Sequence, residues 1–239
     1  MPVLEFRDYH YAYPDGTEAL SGISFSVEEG ESLGIVGPNG AGKTTMLLSS
    51  CGLLEGEGHV LVHGEILTKK NAGRLRQSLG FVFQNPDDQL FMPTVYEDVA
   101  FGPDNLGYSA EAIDSAVEAA LEAVELPDFG EKSSHHLSSG EKKRVAVATV
   151  LSMKPDVLIL DEPSTNLDPH ARRNLIELFA GMEITQIIAG HDLELILELC
   201  DRVLIMNRGR IVADGQPGLL FSDTDLMRQN FLEVPYSLR

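Results

Sequence analysis

Basic residues are scarce in this sequence. Its 239 residues include 18 lysines and arginines against 37 aspartates and glutamates, so the formal net charge is −19 and the pI is about 4.6. Nucleic acids and anionic lipid surfaces are bound by basic faces. The acidic balance therefore argues against nucleic acid as the main partner and against direct adsorption to an anionic membrane.

Cysteines and long apolar runs are also few. Cys51 and Cys200 each lie in an apolar, helix-like stretch, and two free thiols in a reducing compartment are favoured over a disulfide between them. No apolar run approaches the roughly 18 residues of a membrane span, and the N-terminus lacks the basic-then-apolar pattern of a signal peptide. We expect a cytoplasmic protein that is attached to a membrane only through a protein partner.

What the sequence does contain is a series of short apolar runs between helical patterns. Hydrophobic residues make up 43% of the chain, which allows one globular domain with a sizeable core. Fully apolar strands that alternate with helices indicate an α/β fold with a mainly parallel sheet covered on both faces. The predicted buried strands are residues 32–37, 79–83, 156–161 and 185–190.

Two segments differ from this alternation. Residues 3–34 show short alternating runs broken by turn residues, which predicts an N-terminal antiparallel β subdomain. Residues 88–152 carry apolar residues at helical spacing, and Ser109 can cap the helix, so we predict an inserted helical subdomain. The apolar positions at helical spacing are Ile113, Val117, Leu121 and Val124.

We therefore predict a single domain over residues 1–239. Residues 1–87 and 153–220 would form the α/β core together with the antiparallel β subdomain, and residues 88–152 the helical subdomain. The run RVLIMNRGRIVADG is typical of a hairpin and would close the core. Residues 221–239 would form a C-terminal tail to which the sequence assigns no role.

A glycine loop, GPNGAGKTT, follows the first of the buried strands. It fits the spacing G-x-x-x-x-G-K-[ST] through Gly37, Gly42, Lys43 and Thr44, with a strand before it and a helix after it. Glycines allow backbone N–H groups to converge on phosphate oxygens, and the helix N-terminus adds its dipole. We expect Lys43 to reach the β and γ phosphates, Thr44 to ligate Mg²⁺, and Thr45 to hydrogen-bond the α-phosphate.

The run VLILDEP supplies two carboxylates. Its apolar residues predict a buried strand that delivers Asp161 and Glu162 at its carboxyl end, where ligands bind in open α/β sheets. Asp161 is suited to hold Mg²⁺, and Glu162 to orient and deprotonate an attacking water. Strands that end in acidic residues are common, so this interpretation depends on the pairing with the glycine loop.

A second turn of the phosphate-binding type lies in HLSSGEKKR, before the helical run VAVATVLSM. The chain thus contains, in this order, Tyr13, GPNGAGKTT, Gln84 in FVFQNP, LSSGE, VLILDEP, STNLD and His191. This series of motifs makes the chain similar to the nucleotide-binding subunits of ATP-binding-cassette (ABC) transporters. The resemblance covers nearly the whole chain. It implies a P-loop NTPase (RecA-like) core and the hydrolysis of ATP with Mg²⁺.

In this family two subunits lie head to tail with two ATP molecules between them. The resemblance therefore implies a dimer, in which the glycine loop of one subunit and the second turn of the other bind the same nucleotide. Dimer closure around ATP and its release on hydrolysis would be the mechanical output. We call this second turn, residues 137–141, the signature turn.

The resemblance also implies roles for individual residues. Tyr13 would stack on the adenine ring, with the neighbouring Tyr9 and Tyr11 as alternatives, while Gln84 would sense Mg²⁺ and the attacking water. His191 would hydrogen-bond the γ-phosphate. The predicted catalytic residues are thus Glu162, His191 and Gln84. The predicted Mg²⁺ ligands are Thr44, Gln84 and Asp161. The predicted nucleotide-binding residues are Tyr13, Asn39, Gly40, Ala41, Gly42, Lys43, Thr44, Thr45, Ser138, Ser139, Gly140 and Asp168.

The signature turn departs from the usual family pattern LSGGQ, because Ser139 replaces a glycine and Glu141 a glutamine. The resemblance implies that Ser138 donates its hydroxyl to the γ-phosphate, with backbone donors at Ser139 and Gly140. The Cβ of Ser139 is either tolerated or slows the composite site, and tolerance is favoured. Asp168 would lie near the partner's glycine loop, cap the following helix, or do both.

The run FVFQNPDDQLFMPTVYEDVAFGPDNLG is similar to energy-coupling-factor importers, and within them the cobalt/nickel branch is favoured. The resemblance implies a second ATPase subunit, an integral membrane coupling subunit and a substrate-binding membrane component as partners, at the cytoplasmic face of the cell membrane. Leu90, Phe91 and Met92 would line or border a groove for an amphipathic helix of the coupling subunit. The alternatives are a vitamin-type importer, an exporter ATPase, and a soluble ABC ATPase without a transport role.

Overall fold

Two β-sheets form the framework of the chain in the computed structural model, which describes residues 1–239. The strands, numbered in chain order, are β1 Leu4–Ala12, β2 Glu18–Val27, β3 Ser32–Val36, β4 Glu57–Val62, β5 Glu65–Ile66, β6 Leu79–Val82, β7 Val157–Asp161, β8 Thr185–Gly190, β9 Arg202–Asn207 and β10 Arg210–Gly215. One sheet is antiparallel, with the order β2-β1-β4-β5. The other has the order β10-β9-β3-β8-β7-β6, and only its edge strand β10 runs antiparallel to its neighbour.

Nine α-helices accompany these sheets. They are α1 Lys43–Ser50, α2 Ala72–Leu75, α3 Val95–Asn105, α4 Ala110–Ala123, α5 Ser139–Leu151, α6 Pro169–Ala180, α7 Leu193–Leu199, α8 Pro217–Ser222 and α9 Thr224–Gln229. Within residues 88–152, helices α3, α4 and α5 pack against one another. The side chain of Ser109 accepts a hydrogen bond from the backbone N–H of Ala112 and so caps α4 as predicted. None of the helices combines the length and the apolar character that a membrane span requires.

The six-stranded sheet has an apolar core on each face, and β7 shows why its sequence is apolar throughout. Val157 and Ile159 pack in the core beneath the antiparallel sheet, whereas Leu158 and Leu160 pack in the core beneath helices α3 to α7. Successive side chains of a strand point to opposite faces, so a strand covered on both faces needs apolar residues at every position. The predicted α/β fold with a mainly parallel, doubly covered sheet is confirmed.

The antiparallel sheet differs from the prediction in its extent. Residues 3–34 do not form it alone: they supply β1 and β2, whereas β4 and β5 come from beyond the glycine loop and α1. The β4–β5 hairpin turns at His63 and Gly64, which both have positive φ (49° and 76°), as a two-residue hairpin loop of the primed type requires. β4 then pairs with β1, so that Leu4 lies opposite Val62.

The C-terminal segment, residues 221–239, is packed against the rest of the chain. Phe221 and Met227 are fully buried in the core beneath the helices. Near the end of the chain, the hydroxyl of Ser237 donates to Oε2 of Glu194 in α7 at 2.6 Å. The segment that the sequence left without a role therefore covers apolar surface of the core.

Candidate active site

The glycine loop lies between β3 and α1, and its glycines are required by close backbone contacts. A Cβ on Gly37 would collide with the carbonyl oxygen of Met206, and one on Gly42 would lie 2.6 Å from that of Ala19. Gly42 also has a φ of 102° at the start of α1, in the left-handed region that other residues avoid. The sequence thus brings the first backbone N–H groups of α1 to the surface at the end of a buried strand.

A cleft of about 380 Å³ opens over this loop. It brings together four segments that are far apart in the sequence, and its volume is that of a small-molecule site. We call it the nucleotide cleft. Its lining residues are Asn39, Gly40, Ala41, Gly42, Lys43, Thr44, Thr45, Gln84, Glu162, Thr165 and His191.

Lys43 points back over the loop. Its Nζ donates to the carbonyl oxygen of Gly37 at 2.9 Å and lies 3.2 Å from Nε2 of His191 and 3.9 Å from Oε1 of Glu162. Burial lowers the pKa of Lys43, and the carboxylates of Glu162 and Asp161 oppose that effect. The ammonium group is therefore held at the floor of the cleft, where phosphate oxygens would meet it.

Asp161 carries an unsatisfied buried oxygen. Its Oδ2 accepts a hydrogen bond from Oγ1 of Thr44 at 2.9 Å, but its Oδ1 is buried without a partner. Burial raises the pKa of Asp161, with the hydrogen bond from Thr44 acting against it. An orphaned carboxylate oxygen beside a hydroxyl is a donor set suited to a hard divalent cation, so Thr44 and Asp161 fit Mg²⁺. Gln84 lines the same cleft, is exposed, and makes no side-chain hydrogen bond.

Glu162 follows Asp161 in a left-handed backbone conformation, with φ of 49°, which is rare outside glycine and concentrated at functional sites. Its N–H donates to the carbonyl oxygen of Ala189 at 2.8 Å, and its Oε2 accepts from the N–H of His191 at 3.2 Å. Nε2 of His191 lies 3.3 Å from Oε1 of Glu162 and 2.8 Å from Oδ1 of Asn39. The carboxylate is thus fixed beside His191 and Lys43.

Tyr13 lies beside the glycine loop but does not line the cleft. Its hydroxyl is 2.9 Å from that of Thr45, its ring packs edge-on against Tyr11, and 39% of its surface is exposed. Tyr9 is only 4% exposed, and its hydroxyl donates to the carbonyl oxygen of Leu54. Tyr9 is therefore unavailable for stacking on a base, whereas Tyr13 is accessible.

The signature turn is a capped helix start. Ser138 caps α5, and Glu141 completes a capping box: the hydroxyl and the N–H of Ser138 donate to Oε2 of Glu141 at 2.7 and 2.8 Å. The hydroxyl expected to meet a phosphate is thus already donating to a carboxylate within the same turn. Ser138 and Ser139 are exposed, and neither lines the nucleotide cleft of its own chain.

The two small residues of this turn are under different constraints. A Cβ on Gly140 would lie 2.8 Å from the Cβ of Ala171 in α6, so glycine is required there by helix packing. Ser139 is exposed and its φ is not positive, so its backbone needs no glycine. The fold itself therefore accepts the departure at position 139.

Asp168 caps α6, as predicted. Its Oδ1 accepts hydrogen bonds from the N–H groups of His170 and Ala171, both at 2.9 Å. It is exposed and, like the signature turn, does not line the nucleotide cleft. The predicted residues thus divide into a set gathered in the cleft and a set displayed elsewhere on the surface.

Sequence reasoning missed two charged groups that support the site. Arg172 of α6 forms a two-pronged ion pair with Asp192, at 2.5 and 2.7 Å, next to His191. Lys143 of α5 is buried, and burial lowers its pKa to about 8 against the opposing effect of Glu162 and Asp161. The sequence does not single out Lys143, because the six consecutive residues Val145 to Val150 are all buried and give the helix no single apolar face.

An apolar groove of about 540 Å³ lies beside the loop that carries Gln84. Of the three residues predicted to line or border it, Phe91 lines it at 60% exposure, Leu90 is buried in the core, and Met92 is not among the lining residues. We call it the apolar groove. Its exposed aromatic residues are Phe83, Phe91 and Phe101.

Comparisons with known proteins show which family the chain is similar to. The family model described as "ABC transporter" matches residues 20–165. A relative from Streptomyces coelicolor is 50% identical over 234 residues, which cover 98% of this chain and 90% of the relative. The "Energy-coupling factor transporter ATP-binding protein EcfA" of Methanothermobacter thermautotrophicus is 45% identical over 239 residues, which cover 98% of this chain and 77% of that protein. The solved structure of cbiO1 from Clostridium perfringens, described as part of the ABC transporter complex cbiONQ, superposes with a TM-score of 0.86 at 39% identity, covering 95% of this chain and 94% of that one.

Proposed function

The chain belongs to the ABC transporter family as an ATP-binding, ATP-hydrolysing subunit, and from this premise we propose that it energises an importer by closing onto a second copy around ATP. The observation that carries the proposal is the division of the site. The nucleotide cleft gathers the glycine loop, Glu162 and His191, whereas the exposed signature turn lies outside it. A helix start with hydroxyl and N–H donors suits a phosphate that another chain presents.

In the proposed reaction the cleft binds the phosphates of ATP through the N–H groups of the glycine loop and Lys43. Glu162 accepts a proton from a water whose oxygen attacks the γ-phosphorus, and the bond to the bridging oxygen of ADP breaks. His191, fixed beside Glu162, donates toward the γ-phosphate. When held by Thr44 and Asp161, with Gln84 nearby, Mg²⁺ would neutralise charge on the β and γ phosphates.

Closure requires the Ser138 hydroxyl to exchange acceptors. In the single chain it donates to Glu141, and in the proposed dimer it would donate to the γ-phosphate of the partner's ATP. The Glu141 carboxylate would then lie near that phosphate, and two negative charges repel each other. Glu141 would therefore lower the affinity of the signature turn for ATP, compared with the glutamine that is common at this position in the family.

We expect Glu141→Gln to lower the KM for ATP by about threefold, the scale of an exposed charge interaction. Glutamine can also complete a capping box, so the start of α5 should be preserved. The measurement is steady-state ATP hydrolysis against ATP concentration. Glu118→Gln removes the same charge from an exposed position on α4 and is the matched control. An unchanged or higher KM in Glu141→Gln would contradict the exchange.

The apolar groove is the proposed docking site of the membrane coupling subunit. Its exposed aromatic rings, with Phe91 and Phe101 packed edge-on at 5.1 Å, suit the apolar face of an amphipathic helix. The groove is also lined by Phe83, the residue immediately before Gln84 of the nucleotide cleft. An occupant would therefore contact the loop that reaches the nucleotide.

We expect Phe91→Glu to reduce recovery of the membrane partner by at least about tenfold when the chain is purified from a mild detergent extract, because a charge would enter an apolar contact. The matched control is Phe231→Glu, since Phe231 is 70% exposed and does not line the groove. Equal recovery of the partner with Phe91→Glu and the unmodified chain would exclude the groove as the docking site.

The proposed cargo is a cobalt or nickel ion, taken up through membrane components while this subunit stays at the cytoplasmic face of the cell membrane. Support comes from the EcfA relative and from the cbiO1 neighbour. The ion would not touch this chain, since substrate choice lies in the membrane components. Uptake assays of the purified complex with Co²⁺, Ni²⁺ and vitamins would separate this proposal from the vitamin-type importer, and outward transport would favour an exporter.

A further inference from the structure

Lys143 is a buried cation between the signature turn and the catalytic carboxylates. It lies on α5 on the same face as Val147 and Val150, and its exposed fraction is 4%. Its Nζ donates to the backbone carbonyl oxygens of Gln84 at 2.5 Å and Glu162 at 3.2 Å. Lysine is rarely buried without partners, and here the partners are two carbonyl groups rather than a carboxylate.

The two carbonyl groups belong to the ends of adjacent strands. Val82 of β6 lies opposite Leu160 of β7 in the parallel sheet; β6 ends two residues before Gln84, and β7 ends one residue before Glu162. Glu162 has the left-handed φ of 49°, and its N–H is bound by the carbonyl group of Ala189. The hydrogen bond from Lys143 to its carbonyl oxygen fixes the same residue from the other side.

We propose that Lys143 is a positioning residue for ATP hydrolysis, which fixes the backbone of Gln84 and Glu162 relative to the helix that begins at the signature turn. This inference rests on the proposed roles of those two residues. Lys143 does not touch the nucleotide cleft, so it acts through them. The start of α5 would then donate to the partner's ATP, and Lys143, one turn later in the same helix, would position Glu162 of its own chain.

The first test is Lys143→Met in the full-length chain. Methionine has a similar length and is suited to burial, so the variant removes the charge and the donors while retaining packing. We expect kcat for ATP hydrolysis to fall by at least about tenfold and the KM for ATP to stay within about twofold. Lys142→Met is the matched control, because the neighbouring Lys142 pairs with the exposed Asp87 at 2.6 Å and should leave kcat unchanged.

Two further variants separate positioning from a loss of folding. Lys143→Arg keeps the charge and the N–H donors, so we expect it to recover most of kcat. In single-turnover hydrolysis, Lys143→Met added to Glu162→Gln should slow the reaction far less than it slows the unmodified chain, because residues that act through one another are not additive.

The results that would overturn the inference are distinct from those that would overturn the proposed function. A near-normal kcat in Lys143→Met, a Lys143→Arg variant as slow as Lys143→Met, or additive effects with Glu162→Gln would each refute the positioning role while leaving the ATPase in place. Absence of ATP hydrolysis by the unmodified chain and its membrane complex would instead refute the proposed function.

Discussion

Replacement of Glu162 by glutamine is expected to stop ATP hydrolysis without preventing ATP binding. The amide is nearly isosteric, and its oxygen can still accept the hydrogen bond that Oε2 now accepts from the His191 N–H. It cannot take a proton from water, so kcat should fall by about a hundredfold to a thousandfold, the usual contribution of a general base. Because ATP would then persist between the subunits, we expect a stable dimer in size-exclusion chromatography with ATP and Mg²⁺.

The control for this variant is Glu177→Gln, which removes a carboxylate from the exposed face of α6. It should hydrolyse ATP at the normal rate and dimerise only transiently. Ordinary steady-state turnover in Glu162→Gln would mean that another group takes the proton. Loss of ATP binding would instead mean that the carboxylate is needed to build the cleft.

The second large effect is expected from mixing two inactive chains. Lys43→Met disables the cleft, and Ser138→Asp disables the signature turn while retaining a good helix cap, because aspartate caps as well as serine but repels a phosphate. Each variant alone should lose about a hundredfold or more in kcat. When equal amounts of the two variants pair at random, about half of the dimers contain one chain of each kind, and each such dimer has one intact site of its two. The mixture should therefore recover up to roughly a quarter of the normal rate.

The matched control is a mixture of Lys43→Met with Glu162→Gln. Lys43 and Glu162 line the same cleft, and Nζ of Lys43 lies 3.9 Å from Oε1 of Glu162. In a mixed dimer each of the two sites therefore contains one defect, and no activity should return. Two results would refute the shared site: normal hydrolysis by either variant of the first pair alone, or recovery in the control mixture equal to that in the test mixture.

Local patterns were sufficient to predict much of this fold and site. The glycine loop predicts a helix that starts at Lys43, and the structure has it as Lys43–Ser50. The apolar run before Asp161 predicts a buried strand because both of its faces are covered. Asp168 before a proline predicts a helix cap, and its Oδ1 does accept two backbone N–H groups. In each case the sequence signal lies within a few residues of the element that it predicts.

The features that could not be predicted depend on contacts between distant parts of the chain. Pairing of β4 with β1 joins segments separated by the whole glycine loop and α1, and register between distant strands has no local signal. The partners of Lys143 follow two different strands, 59 residues before it and 19 residues after it. The hydrogen bonds between Ser138 and Glu141 could have been predicted, because the spacing S-x-x-E is that of a capping box.

One consequence of the loop after β6 concerns how a transporter of this kind transmits force. Phe83 lines the apolar groove and Gln84 lines the nucleotide cleft, so in the proposed assembly two neighbouring residues would contact two different binding partners. Their Cα atoms are joined by one planar peptide unit and are fixed about 3.8 Å apart. If a membrane helix docked in the groove and displaced the backbone of Phe83, the backbone of Gln84 would have to move with it, so one peptide unit would couple the membrane partner to the nucleotide.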